Sequence, residues 1–143
     1  MISIVRAYAA PPPPWRVQKV GTFLSPSGGQ WVDVPGWTAS PGYPDDAAFA
    51  GGIIVPTAAT VNVTALLSRV STAANSWGVR IIHNGTELSS TNSGGSSSKT
   101  TQAVVTGLVV AEGDLLTVRY LTAFLNSSGT LEETNSYIEV TAA

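Results

Sequence analysis

Cysteine is missing from this chain of 143 residues, and histidine occurs once, at His83. Without cysteine there is no disulfide, no thiolate metal site and no cysteine nucleophile. A lone histidine does not make a histidine metal site, which takes about two or three such ligands. His83 also stands directly before Asn84-Gly85, where a hairpin-end residue is expected rather than a general base. Charge is scarce: Asp, Glu, Lys and Arg make up 11% of the chain, against about 25% in an ordinary soluble domain. The net charge is −2 and the seven Lys and Arg are scattered, so nothing favours nucleic acid or a membrane surface as a partner. No apolar run approaches the ~18 residues of a membrane-spanning helix. The opening MISIVRAYAAPPPPW has one arginine and no long apolar centre, unlike a secretion signal. Neither a GxxxxGKS/T loop nor a GxGxxG turn between strand and helix is present, and no cofactor is expected.

Ser, Thr, Gly and Ala take the place of the missing charges. Hydroxyls and small side chains do little to repel neighbours, in contrast to the mixed charges of a free surface. That composition suits a chain packed against its own copies or a larger particle, although all-β surfaces are Thr-rich in their own right. The length suits one domain that buries roughly two thirds of its unfolded surface.

No helical period of any length is present. Apolar residues alternate and turn signals recur every ~8 to 12 residues, the pattern of an all-β sandwich or barrel. Ile2 to Tyr8 is a short β-prone arm, followed by four prolines, Pro11 to Pro14. A proline run favours a stiff polyproline rod that rises about 3.1 Å per residue. Residues 1–30 therefore read as an extended arm with a proline-rich linker, and residues 31–143 as the sandwich. The candidate assembly residues of the arm are Ile2, Ile4, Val5, Tyr8, Pro11, Pro12, Pro13, Pro14 and Trp15. Strands are expected at Arg16 to Leu24, Trp31 to Val34, Ala48 to Val55, Thr60 to Val70, Trp77 to His83, Thr86 to Ser90, Thr101 to Val110, Leu115 to Leu121 and Ser136 to Ala142. Asn84-Gly85 between two β runs is a strong hairpin signal, because both turn residues need positive φ. Ser89 to Lys99 and Asn126 to Glu133 read as polar loops. About seven to nine strands fit an antiparallel two-sheet jelly roll.

Acids are the remaining source of chemistry. Glu112-Gly113-Asp114 separates two alternating strands and reads as a turn, with glycine supplying permissive φ and aspartate accepting backbone hydrogen bonds. Asp33 with Asp45 or Asp46 is the one combination of acids beside stacking aromatics, Trp31, Trp37 and Tyr43. A glycosidase needs two carboxyls roughly 5 to 9.5 Å apart across a sugar, and nothing in the spacing promises that. The three aromatics are candidate glycan contacts without hydrolysis; the alternative is that they plug one end of the sandwich. No metal loop is expected there either, since the alternating oxygen ligands of a calcium site are missing. The N-x-S/T matches at Asn62, Asn84 and Asn126 are expected by chance in so Ser- and Thr-rich a chain.

Two stretches carry a resemblance. LVVAEGDLLTVRYLTAF, followed by NSYIEVTAA, resembles the closing strands of trimeric jelly-roll heads of the complement first-component and tumour-necrosis-factor type. WVDVPGWTASPGYPDDAAFAGGIIVP with VRIIHNGTEL is similar to jelly-roll modules in small structural proteins of actinobacterial tailed phages. Together they span Trp31 to Ala143, about four fifths of the chain. The resemblance implies a virion structural protein, a homotrimer that also contacts other virion proteins, assembled in the bacterial cytoplasm and without enzymatic activity. Two locations stay open, a minor tail protein or a capsid decoration protein. A carbohydrate-binding module that contacts cell-wall glycans is the alternative.

Overall fold

The computed structural model describes residues 10–25, 28–70, 75–96, 99–122, 130–132 and 135–143, with backbone alone for 75–76 and 92–96. Eleven strands lie among the described residues: β1 (Trp15–Lys19), β2 (Val32–Asp33), β3 (Trp37–Ala39), β4 (Ala48–Phe49), β5 (Gly52–Ile54), β6 (Ala59–Ser68), β7 (Asn75–His83), β8 (Thr86–Ser96), β9 (Thr100–Val110), β10 (Leu115–Thr122) and β11 (Tyr137–Ala142). One turn of 3-10 helix, Asp45–Ala47, precedes β4. The five-stranded sheet runs β3-β1-β11-β6-β9, and the six-stranded sheet runs β4-β5-β10-β7-β8 with β2 added on β10. All the pairings are antiparallel, and four of them nest along the chain: β7 with β8, β6 with β9, β5 with β10, β1 with β11. A single hairpin folded over so that successive pairs fall in opposite layers has this order, which is that of a jelly roll.

Alternation builds the interior. β6 reads ATVNVTALLS, and Val61, Val63, Ala65 and Leu67 are all buried while Asn62, Thr64 and Leu66 face outward. β10 does the same with Leu116, Val118 and Tyr120. The inner rows of the two sheets meet in one core, where each fully buried Val, Leu or Ile contributes about 1.5–3 kcal/mol. Trp77 and Tyr120 meet edge to face at 6.2 Å and 85°, the orientation that aromatic quadrupoles favour. The fully buried Arg69 lays its guanidinium 4.1 Å from the Trp77 ring. Beside it Leu131, also fully buried, bridges Phe23 and Arg69.

Several boundaries depart from expectation. The sandwich begins at Trp15, not at residue 31: β1 is inserted between β3 and β11. Trp15 is wholly buried and belongs to the core rather than to an arm. Nor is the proline stretch a straight rod, since the Trp15 indole Nε1 donates to the Pro11 carbonyl at 3.1 Å. An extended rod would carry Pro11 roughly 12 Å away along its axis, at about 3.1 Å per residue. The expected arm at residues 2–8 lies outside the described residues, and so does most of the Asn126 to Glu133 loop. The expected strand Ala48 to Val55 is two strands, because the chain reverses at Ala50-Gly51 and β4 pairs with β5. Gly52 makes that possible. Its φ is +144°, and a Cβ there would lie 2.5 Å from the Leu116 carbonyl oxygen. β8 continues through Ser96, where a loop was expected, because Ser93 and Ser96 pair with Trp77 and Asn75 of β7. Backbone pairing along a long partner strand outweighs the weak β preference of Gly and Ser.

The position of Trp15 gives two expectations for denaturant unfolding. Trp15→Ala lowers stability by about 3–5 kcal/mol. A chain that starts at residue 31 shows no cooperative transition, because the five-stranded sheet loses an internal strand. A stable chain from residue 31 onward would contradict this placement of β1.

Candidate functional site

The outer face of the six-stranded sheet collects the polar residues that the alternation of β7 and β10 sends away from the core. β2 pairs with β10 so that Asp33 stands beside Arg119, and β7 pairs on the other side so that Arg80 stands opposite Arg119. Two guanidiniums directly across a sheet repel, and here each has its own partner. Arg119 Nε donates to Asp33 Oδ1 at 3.1 Å. Arg80 pairs with Glu87 at 3.3 Å and lies 3.9 Å from the Trp31 ring. Pairs this exposed contribute at most about 1 kcal/mol each; their effect is to fix where the charges sit. Next to the Asp33–Arg119 pair is a depression of about 310 Å³ lined by Asp33, Val34, Pro35, Gly51, Ile82, Gly85, Thr117 and Arg119.

The residues singled out in the sequence do not form one platform. Trp37 is 5% exposed and its Nε1 donates to the Val34 carbonyl at 2.6 Å, so it is a core residue and not a glycan contact. Trp31 is half-buried and has Arg80 on its ring. Tyr43 is half-buried in a turn closed by its N–H to the Ser40 carbonyl, 3.0 Å. Asp33 and Asp46 line separate depressions, so these two do not face a common ligand space; the second depression instead brings Asp46 and Glu112 together. Arg119, Thr117 and Ile82, which complete the first depression, drew no attention in the sequence. β10 alternation puts Thr117 and Arg119 on one face, but Asp33, the partner of Arg119, comes from a segment 86 residues away.

His83 and Asp114 meet at a second polar corner, where two turns lock together. The Asp114 carboxylate accepts from the Ala111 N–H at 2.9 Å and the Asn84 amide at 3.0 Å, and lies 2.8 Å from His83 Nε2. Asn84 returns the tie, accepting from the Leu115 N–H at 2.8 Å and donating its own N–H to the Leu115 carbonyl at 2.9 Å. Glu112-Gly113-Asp114 is a turn as expected, with Gly113 at φ +86°. Its aspartate does more than close that turn. The Ala111 N–H above all, then the Asn84 amide and His83, hold the Asp114 carboxyl down at about 2, because each hydrogen bond favours the charged form. Among the described residues no three acids or histidines gather as a metal site.

No family model matches the chain, and no curated protein matches it. Among solved structures it is similar to Eiger TNF from S. frugiperda, with a TM-score of 0.52 and 16% identity over 92% of this chain and 94% of that one. The fold is a jelly roll of the tumour-necrosis-factor kind. At that identity the likeness concerns architecture, and the jelly roll holds both polar corners on its six-stranded layer.

A depressed carboxyl pKa sets the sign of a pH effect. The unfolded Asp114 titrates near 3.9 and the folded one near 2. Its contribution is therefore complete above about pH 4 and is lost as pH falls toward 2. Asp114→Ala is expected to cost about 1–2 kcal/mol at neutral pH. In thermal melts the gap between wild type and Asp114→Asn narrows as the pH falls from about 4 to 2. An unchanged gap across that range would show that the corner does not act through the ionised carboxylate.

Proposed function

We propose that this chain is a non-enzymatic structural subunit of a tailed-phage virion, a homotrimer serving as a minor tail or capsid decoration protein. The sequence resemblance to small phage structural modules supports the setting. The single observation that supports self-association is the outside of the five-stranded sheet. β6, β9 and β11 carry one charged residue between them, Glu139, and it is paired to Arg16 at 3.1 Å. Arg16 also lies over the Tyr137 ring at 3.9 Å. Leu66 is paired with Tyr137, and the exposed Val104 with Thr64, so apolar groups dot a surface otherwise made of hydroxyls.

The edge strand β9 strengthens this reading. Eleven residues long, it has no charge and no proline, and among the described residues no strand pairs with its second edge. Natural edges are usually guarded by charges, prolines or bulges. β9 has a bulge at Thr106-Gly107, where the Gly107 N–H donates to Asn62 Oδ1 at 3.0 Å. Beyond it Val109 is 73% exposed. A subunit edge of this kind is covered in the assembled particle, and assembly in the bacterial cytoplasm fits a chain that relies on neighbours rather than on charge for solubility.

Light scattering on purified protein tests the reading. A trimer mass is expected, and Val104→Lys with Val109→Lys shifts it to a monomer with an unchanged circular-dichroism spectrum. A wild-type monomer at all concentrations, or a trimer indifferent to both lysines, would contradict it. Attachment is ascribed to the N-terminal arm, so a chain lacking residues 1–14 is expected to lose incorporation into particles.

A further inference from the structure

Self-association through the five-stranded sheet leaves the opposite layer open, and the Asp33–Arg119 depression lies on that layer. Its volume of about 310 Å³ is at the lower end of small-molecule sites, about 300–1,000 Å³. Its lining includes two aliphatic groups, the nearly buried Ile82, 2% exposed, and the exposed Pro35 ring. The rim has three polar groups, the Asp33 carboxylate, the Arg119 guanidinium and the Thr117 hydroxyl. The ion pair uses only Nε and Oδ1. Both terminal amino groups of Arg119 and the second oxygen of Asp33 are left without a partner among the described residues.

We propose that this depression binds a neutral saccharide, with Asp33 and Arg119 holding adjacent ring hydroxyls. A carboxylate offers only acceptors and a guanidinium only donors in a rigid fork. A hydroxyl is both donor and acceptor, so a pair of neighbouring hydroxyls satisfies both groups at once. An ionic ligand gains little, because the two charges already lie 3.1 Å apart and cancel. The exposed Pro35 ring suits the C–H face of a pyranose, and the space suits one or two rings. Arg80 occupies one face of the Trp31 ring, and Trp37 is inside the core. With Trp37 withdrawn into the core, the aromatic trio is not a single platform, and the polar pair supplies the hydrogen bonds.

An NMR titration of the full chain with methyl glycosides of glucose, galactose, mannose, arabinose and N-acetylglucosamine tests this, with acetate and methylammonium as ionic controls. At least one glycoside is expected to bind in the millimolar range, the order for a single ring, and to shift the Arg119 Nε–H, Thr117 and Ile82 resonances. Asp33→Asn and Arg119→Met each weaken that binding about tenfold, and Thr117→Val weakens it less, while oligomer mass and circular dichroism stay constant. The proposal is overturned if no glycoside shifts these resonances, or if binding survives both substitutions. Tighter binding of either ion than of any glycoside would also overturn it.

Discussion

A β-strand sends successive side chains to opposite sides, and every larger feature of this protein depends on that two-residue period. Inward positions of β1, β6, β7, β10 and β11 are mostly Trp, Val, Leu, Ile, Ala or Tyr, with Lys19 and Thr122 buried as polar ends of β1 and β10. Outward positions of the five-stranded sheet are mainly Thr, Asn and Gln. A slip of one residue in any long strand would exchange the two sets. Register is therefore fixed by burial, and the Asn84–Asp114 corner fixes it again by tying the β7–β8 turn to the start of β10.

The two outer faces then take different characters for reasons of pairing. On the five-stranded sheet the charges nearly vanish, leaving hydroxyls, Tyr137, Leu66 and a β9 edge interrupted only by its bulge. On the six-stranded sheet two arginines stand opposite each other, and Asp33, Glu87 and Trp31 gather around them. The proposed subunit contact falls on the first layer and the proposed saccharide site on the second.

How much of this was legible depended on whether the signal was local. Asn84-Gly85 announced its hairpin, and both residues have positive φ, 48° and 83°. The alternation of β6 and β10 was as plain, and Glu112-Gly113-Asp114 read as a turn. The inclusion of Trp15 was hidden, since four prolines before it look like the end of a linker rather than the approach to a core strand. Trp31 and Trp37 are alike in sequence, yet the first lies on the outer face and the second in the core, decided by a loop path that no period encodes. The Asp33–Arg119 pair and the Asp114 corner join segments 86 and 30 or more residues apart. Such contacts follow from strand order, and strand order in a nested hairpin is settled only when the whole chain has folded.

Hydrogen exchange along β9 addresses the central claim most directly, that the alternating, nearly uncharged five-stranded sheet leaves this strand to be covered by a neighbour. In concentrated protein the β9 amides that do not face β6 are expected to be protected nearly as well as those of the internal strand β11. On dilution, or with Val109→Lys, they should exchange like an exposed edge while β11 is unchanged. Rapid exchange of those amides at every concentration would contradict the account.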